Sequence, residues 1–334
     1  MKAYIKAISY YLPEQILSNH DLVKDFPEWS VEKVAGKIGI DKRHIAGKNE
    51  TSADLAVAAA QKLFAEHKIN PDEIDFVILC TQSPDYFLPT SSCIIQHKLG
   101  IPVGSGAIDF NQGCSGFVYG LALAKGLIAG GVAKNILLLT SETYSKFMHP
   151  KDKANRTIFG DAAAATLVST EGTAEILHFS LGTDGSGANN LIVKTGGMRH
   201  PDKVNDLAFD EALNPVSSDH LFMNGTEIFN FTLENVPVLV DMTLERNNIL
   251  KDDISLFVFH QANRYMLNFL RKKTKIPQEK FYEYMAEVGN TVSSTIPICL
   301  YHAEKESKIR KNDLVLLAGF GVGYSWAGCV LKFD

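Results

Sequence analysis

Cysteine is scarce in this chain and never paired by spacing. The five cysteines, Cys80, Cys93, Cys114, Cys299 and Cys329, are odd in number and include no Cys-x-x-Cys. That pattern excludes a disulfide framework and a zinc ribbon, and it fits a reducing, cytoplasmic setting, as does the lack of a secretory-signal pattern at residue 1 onward. No apolar run reaches the roughly 18 residues a membrane span needs, so no membrane partner is expected. The ten histidines are scattered and form no His-Glu-x-x-His, so no metal is expected. Basic residues are in the minority: the formal charge is −5, which removes any general attraction to nucleic acid, and an anionic partner has to meet a local basic patch. The glycine-bearing stretch Gly182-Thr183-Asp184-Gly185-Ser186-Gly187 lacks the Lys-Ser/Thr of a phosphate loop and reads as a turn.

What remains is an ordinary globular balance, 46% hydrophobic and 21% charged over 334 residues, enough for about two units at roughly 150 residues each. The apolar pattern predicts a strand over 3–9, helical and partly exposed elements over 17–40, and an alanine-rich helix over 52–67. Continuous apolar runs at 74–81 and 136–140 predict strands covered on both faces, and 162–169 is expected to return to strand. The second half repeats this plan. Residues 69–78 align with 249–258, an offset of 180, each copy in the order helix, acidic turn, buried strand, and 134–139 align with 312–317, an offset of 178. Two offsets this close predict a duplicated α/β chain with halves 1–170 and 171–334, joined near 169–174. The polar segment 184–220 reads as a surface insertion. A cleft between two such halves is where strand ends converge.

The central stretch is Asn111-Gln112-Gly113-Cys114-Ser115-Gly116-Phe117. A strand ends at Phe110 and a helix follows, with Phe117, Leu121, Ala124 and Ile128 on one face and Val118, Leu123 and Leu127 widening it. Lys125 is its one charge, so burial nearly all round is expected. Cys114 then sits at the first helical turn, where unpaired amides favour a thiolate, unless it is one more buried apolar cysteine. In the second half His260 ends an apolar strand within His260-Gln261-Ala262-Asn263, as a proton-transfer group or as a satisfied core histidine. Asn290 follows Gly289, as a ligand group or as a tight turn. Gly319-Phe320-Gly321-Val322-Gly323 follows the last long strand and allows close backbone approach, or makes a bend. Taken together these give a nucleophile, two hydrogen-bond donors and an oxyanion site built from the Cys114 amide and one from the glycine loop.

These motifs, with Gly39-Ile40, Arg43-His44-Ile45-Ala46 and Phe159-Gly160-Asp161, resemble the 3-oxoacyl-[acyl-carrier-protein] synthase III group of the thiolase superfamily over Tyr4 to Lys332. The pairing of His-Gln-Ala-Asn with Gly-Asn-Thr implies a Cys114–His260–Asn290 triad, distinct from the Cys-His-His of chain-elongating synthases and the Cys-His-Cys of thiolases. Chalcone-synthase-like enzymes share it. The resemblance implies a thiolase-like fold, duplicated halves in a five-layered α-β-α-β-α arrangement, and a homodimer. It further implies that acyl-CoA loads Cys114 and that malonyl on acyl-carrier protein loses carbon dioxide and condenses with it. No cofactor is implied beyond these substrates. His260 and Asn290 would hold the enolate and Phe320 would shield it. Gly321 and Val322 would form the oxyanion loop, Asn263 would support pantetheine or a water, and Gly225 would line the tunnel. Arg264, Arg271, Lys272 and Lys273, on the helix after His260, form the local basic patch an acidic carrier would dock on, or a solvated helix end whose charges favour the C-terminal dipole, and the resemblance implies that Lys272 and Lys273 face the carrier.

Some positions depart from the family pattern. Lys33 and Lys37 fall where the family has tryptophan and arginine, and Lys153 falls on another arginine position. Lysine does not stack on adenine, so a weaker CoA site or a carrier-bound donor is implied. Val322 replaces a glycine. Leu88, at a position near the partner subunit's acyl pocket, is smaller than the phenylalanine of some relatives, which implies a donor longer than acetyl. An acyltransferase or a specialised lipid or polyketide condensing enzyme on the same fold is the alternative.

Overall fold

In the computed structural model, which describes residues 1–211 and 213–334, the first half runs β1 (Tyr4–Tyr11), β2 (Gln15–Ser18), α1 (Asn19–Asp25), α2 (Val31–Ile38), β3 (Lys42–Ile45), α3 (Ser52–His67), β4 (Phe76–Cys80), α4 (Ser91–Lys98), β5 (Gly106–Phe110), α5 (Gly116–Ala129), β6 (Asn135–Glu142), α6 (Lys153–Arg156) and β7 (Ala162–Ser169). The second half follows with β8 (Ala174–Thr183), β9 (Leu191–Ile192), β10 (Ala208–Phe209), β11 (Pro215–Val216), β12 (Phe222–Met223), α7 (Gly225–Asn247), β13 (Leu256–Phe259), α8 (Arg264–Lys273), α9 (Thr295–Lys305), β14 (Leu314–Gly321) and β15 (Ser325–Phe333).

The strands of the two halves pair in the same way. In the first, the order is β5-β4-β6-β7-β1, with β5, β4 and β6 parallel and the next two steps antiparallel. In the second it is β13-β14-β15-β8, with one parallel and two antiparallel steps, and Phe281 bridges Phe257 in parallel where β5 would lie. The halves join where Tyr4 and Ile5 of β1 pair with Glu175 and Ala174 of β8.

Side-chain alternation then sets the layers. Val77 and Leu79 of β4, Leu137 and Leu139 of β6, and Ala163, Ala165 and Leu167 of β7 pack on α3. Their alternates Ile78, Ile136, Leu138 and Val168 meet α5 and α9 in a central cluster that also takes Val258, Val315 and Leu317 from the second half. On the far side Phe257, Phe259, Leu316 and Ala318 pack on α7 and α8. Helix, sheet, paired central helices, sheet, helix: five layers follow from the two halves of one nine-stranded sheet, each half covered on both faces, which is why the strands read as unbroken apolar runs.

The structure corrects four expectations. Residues 17 and 18 belong to a strand, and the helices after them start at Asn19 and Val31 because the Ser18 and Ser30 hydroxyls cap them, accepting from Asp21 N and Lys33 N. α5 is not buried all round: Leu123 is 46% exposed, and Lys125 reaches across to donate to the Ile176 and Leu177 carbonyls of β8. The glycine loop starts later than expected, because β14 carries Gly319 to Gly321 within the ladder. Leu314 to Gly321 is also followed by another long strand, β15. α3 begins and ends as expected, fixed by a Thr51–Asp54 capping box. Among the described residues no helix is long and apolar enough to cross a membrane, and all five cysteines are free.

Candidate active site

Cys114 lies just past β5, His260 just past β13, Phe320 and Gly321 at the end of β14, and Asn290 on the segment before α9, and all five line one cavity. Cys114 follows β5 and is 6% exposed. The turn carrying it closes through Gly116 N–H to Gly113 O at 2.8 Å. Both glycines are required: a Cβ on Gly113 would meet Val322 Cγ1, and one on Gly116 would meet Cys80 Sγ, each at 2.3 Å. β14 presses against the nucleophile equally closely, since a Cβ on Gly321 would lie 2.9 Å from Cys114 Sγ and one on Gly319 would lie 3.0 Å from Cys114 O.

The expected thiolate is not the resting form. Burial, and then the nearby Glu142 carboxyl, push the Cys114 thiol up to about 12, while the backbone amides of Cys114 and Val322 pull the other way. Desolvation outweighs the helix N-terminus here because α5 starts only at Gly116, with buried Ser115 ahead of it. The two amides aimed at the sulfur are the pair expected to form the oxyanion site.

His260 extends the β13–β14 pairing by one residue through its N–H to Ala318 O at 2.8 Å. Its Nδ1 lies 2.8 Å from Thr295 Oγ1, and that hydroxyl donates its proton to Val292 O at 3.1 Å. Thr295 is therefore the acceptor towards His260, Nδ1 carries the ring proton, and Nε2 is left as an acceptor. Burial pushes the imidazole down to about 3, so it is neutral at physiological pH. This changes one expectation: resting His260 offers a base, and becomes a donor only after it has taken a proton.

Asn290 is held on three sides. Its N–H donates to Ile158 O at 2.9 Å, its carbonyl accepts from Gly160 N–H at 3.0 Å, and its Oδ1 accepts from Val292 N–H at 3.0 Å. With Oδ1 occupied, the Nδ2 amino group is the end left for a ligand. Phe320 stands edge-on to His260, with ring centroids 5.6 Å apart.

Cys114, His260, Asn290, Phe320, Gly321, Asn263 and Gly225 line one cavity of about 150 Å³, closed by Phe159, Leu191 and Met223. Through Ile158 and Asn263 it adjoins a larger mouth of about 510 Å³ lined by Trp29, Lys33, Lys37, Lys153, Asn214 and Tyr265. Lys37 and Lys153 thus stand at the mouth, and Lys153 is ion-paired with Glu28. Val322 lines a third cavity of about 270 Å³, with Tyr144, Phe147, Leu191 and Leu221. Leu88 is not brought to the site within one chain: it is 82% exposed, beside Tyr86 and Phe87.

On α8, Arg264, Arg271 and Lys272 line a surface groove with Lys37, Tyr265 and Phe269, and Lys273 is exposed beside it. Arg271 is less available than its charge suggests, because its Nη1 donates to Ile276 O at 3.1 Å and its Nε is buried without a partner.

Sequence reasoning missed Thr295, Val292 and Glu142, which hold the site without any motif signal, and missed Trp29 and Tyr265 as the aromatic wall of the mouth. Trp29 was legible as an aromatic within the departing segment 29–38, four residues from the position searched.

Two family models match the chain: 3-oxoacyl-[acyl-carrier-protein (ACP)] synthase III over residues 108–185, and the C-terminal model of the same family over 244–333. Among curated proteins, the beta-ketoacyl-[acyl-carrier-protein] synthase III of Clostridium perfringens (strain SM101) is 35% identical over 331 residues, 99% of each chain. That of Caldanaerobacter subterraneus subsp. tengcongensis is 34% identical over 97% of this chain and 96% of its own. A crystal structure described as 3-oxoacyl-(acyl-carrier-protein) synthase III is 49% identical, covers 100% of both chains and superposes with a TM-score of 0.97. The 3-oxoacyl-(acyl-carrier protein) synthase of Burkholderia xenovorans LB400 is 37% identical over 100% of this chain and 95% of its own, with a TM-score of 0.92.

Proposed function

Because the chain belongs to the 3-oxoacyl-[acyl-carrier-protein] synthase III family, an acyltransferase class of condensing enzymes, we propose that it loads an acyl group from acyl-CoA onto Cys114 and condenses it with malonyl-acyl-carrier protein. The products are a 3-oxoacyl-carrier protein, CoA and carbon dioxide. The observation that carries this reading is the convergence of Cys114, His260 and Asn290 on one cavity.

Acylation begins with a neutral thiol and a neutral imidazole. As Cys114 Sγ attacks the thioester carbonyl, His260 Nε2 takes its proton, and the Cys114 and Val322 amides hold the oxyanion. CoA leaves as its thiolate and draws a proton from water. Burial disfavours the imidazolium left behind, and the incoming malonyl carboxylate offsets that cost. When carbon dioxide departs, the enolate oxygen receives hydrogen bonds from His260 Nε2–H and Asn290 Nδ2. Its carbon attacks the acyl-Cys114 thioester. Collapse of the tetrahedral adduct expels the Cys114 thiolate, which recovers its proton from His260, so charge and protons balance over the cycle.

In this reading Trp29 and Tyr265 supply the aromatic contact that lysine cannot, and Lys33, Lys37 and Lys153 meet phosphates at the mouth. The apolar wall of Tyr144, Phe147, Leu191 and Leu221 favours a donor longer than acetyl. Lys272 and Lys273 face the carrier. The free cysteines and the two water-borne substrates fit the cytoplasm.

The test is to add labelled acyl-CoA and find the label on Cys114, then add malonyl-carrier protein and measure carbon dioxide and 3-oxoacyl product. The second step is expected to slow with added salt much more than the first. Acylation without condensation would leave only acyl transfer, the alternative on this fold, and no acylation by any acyl-CoA or acyl-carrier donor would refute both.

The working form is proposed to be a homodimer built on the β5 edge. β5 is an edge strand with Ile108 46% exposed, and Val103, Tyr86, Phe87, Leu88 and Leu123 are apolar surface that one chain leaves uncovered. Leu88 would then reach the second copy's acyl pocket. Sedimentation is expected to return twice the 36.7 kDa chain mass; a monomer at micromolar concentration sinks this assembly.

A further inference from the structure

A pair of buried hydroxyls ties the nucleophile's turn to the loop that faces it. Ser115 stands at the N-cap position of α5, where a serine hydroxyl ordinarily accepts from an amide of the first helical turn. It makes no such bond, and lies instead 2.6 Å from the Ser325 hydroxyl of the other half. Ser115 is 0% exposed and Ser325 2%. A third partner fixes the order of the protons. Ser325 donates to Val322 O at 3.0 Å, a carbonyl that can only accept, which leaves the Ser325 oxygen to accept from Ser115. Val322, Gly323 and Tyr324 form the turn between β14 and β15, whose last ladder pair is Gly321 with Ser325. The far end of this turn is held from outside: Tyr324 and Asp184 exchange backbone bonds at 2.7 and 3.0 Å, and Asn190 Nδ2 donates to the Tyr324 hydroxyl at 2.6 Å. The near end lies against the nucleophile. A Cβ on Gly321 would come within 2.8 Å of Cys114 Cβ, and one on Gly319 within 2.8 Å of Ser115 Cα.

We propose that Ser325, aligned by Ser115, is a positioning residue for acyl transfer: its hydroxyl holds Val322 so that the Val322 N–H stays aimed at the oxyanion formed when Cys114 attacks. The oxyanion role of that amide rests on the proposed function, and it holds for any acyl donor, CoA-borne or not. Val322 is restrained on both sides of its N–H, by the ladder that ends at Gly321 and by the bond to its own carbonyl. An oxyanion donor works by being in place before the charge develops. One free to turn with its loop must be reordered during bond formation, and that cost falls on the rate rather than on binding.

Two reagents separate this role from a general loosening of the site. p-Nitrophenyl acetate acetylates Cys114 by carbonyl addition: sulfur bonds to the acyl carbon, p-nitrophenolate leaves, and the thiol proton passes to His260 Nε2. Iodoacetamide alkylates the same sulfur by displacing iodide from carbon, and no oxyanion forms. In Ser325→Ala the limiting rate of the p-nitrophenolate burst is expected to fall about ten- to thirtyfold at an unchanged half-saturating ester concentration. Alkylation, followed on the Cys114 peptide by mass spectrometry, is expected to stay within about twofold of the unaltered rate. Ser325→Thr retains the hydroxyl and is expected to recover most of the loss. An unchanged burst rate in Ser325→Ala overturns the proposal, as does an equal fall in acetylation and alkylation, or a threonine variant as slow as the alanine one. If Ser325→Ala fails to fold, Ser115→Ala decides. Removing the donor that aligns Ser325 is expected to slow acetylation about three- to fivefold at unchanged alkylation, and an unchanged acetylation rate overturns the proposal. Because the ester needs neither CoA nor carrier protein, these outcomes are separate from those of the labelled acyl-CoA test of the proposed function.

Discussion

His260→Ala is expected to slow acylation of Cys114 at pH 7 by about 10²–10⁴-fold, with little change in KM for the acyl donor. The size follows from the resting charge states. With its thiol pushed up to about 12, Cys114 is ionised in only about one molecule in 10⁵ at pH 7, so attack needs a base at the moment of bond formation. In the proposed mechanism Nε2 of His260 is that base, because Thr295 spends its proton on Val292 and leaves the ring proton on Nδ1. The pH dependence separates this role from a structural one. Burial holds the imidazole down to about 3, so it is unprotonated throughout pH 6–8 and the unaltered protein should acylate at a rate nearly independent of pH there. Without the base, the rate should rise about tenfold per pH unit as free thiolate accumulates. A variant that acylates at the original rate, or shares its flat profile, would show that His260 does not take the Cys114 proton.

How much of this was legible in the sequence divides by distance along the chain. Cys114 between two glycines at a strand-to-helix turn, His260 at the end of an apolar strand and Asn290 after Gly289 are local patterns, and each marks a place where the backbone must leave a ladder and expose a side chain. The strand runs were legible for the same reason: a doubly covered strand has no polar face to hide. The charge state of Cys114 was not legible, because a helix start argues for a thiolate, whereas the opposing burial comes from β14, some two hundred residues later, packing so close that Gly321 has no room for a Cβ beside the sulfur. The tautomer of His260 was equally out of reach, since it is set by Thr295 and Val292 on a turn that carries no proton-transfer motif of its own. Leu123 shows the limit of periodicity. Its position widens the apolar face of α5, and the chain leaves it 46% exposed.

Asn290→Ala is expected to leave acylation of Cys114 within about threefold of the unaltered rate and to slow malonyl decarboxylation by about 10²–10³-fold. Oδ1 of Asn290 is occupied by Val292 N–H, so the side chain has a donor and no free acceptor for the substrate. In the proposed mechanism the acylation oxyanion is served by the Cys114 and Val322 amides, which act on the resting sulfur, and the proton of that step goes to His260, so neither role involves Asn290. What Asn290 can offer is a hydrogen bond to the enolate oxygen, a charge that appears only when carbon dioxide leaves, and losing a bond made only there lowers kcat without altering binding. The obvious objection is that the alanine variant loosens the loop, because Val292 N–H loses its acceptor and Val292 also steadies Thr295. Asn290→Asp meets it: the aspartate keeps Oδ1 for Val292 and replaces the donor with an acceptor. It should therefore acylate normally and decarboxylate no better than the alanine variant. If the aspartate variant decarboxylates at the original rate, Asn290 acts by shaping the loop rather than by donating to the enolate. If both variants lose acylation and decarboxylation equally, the division of labour between the amide pair and Asn290 is wrong.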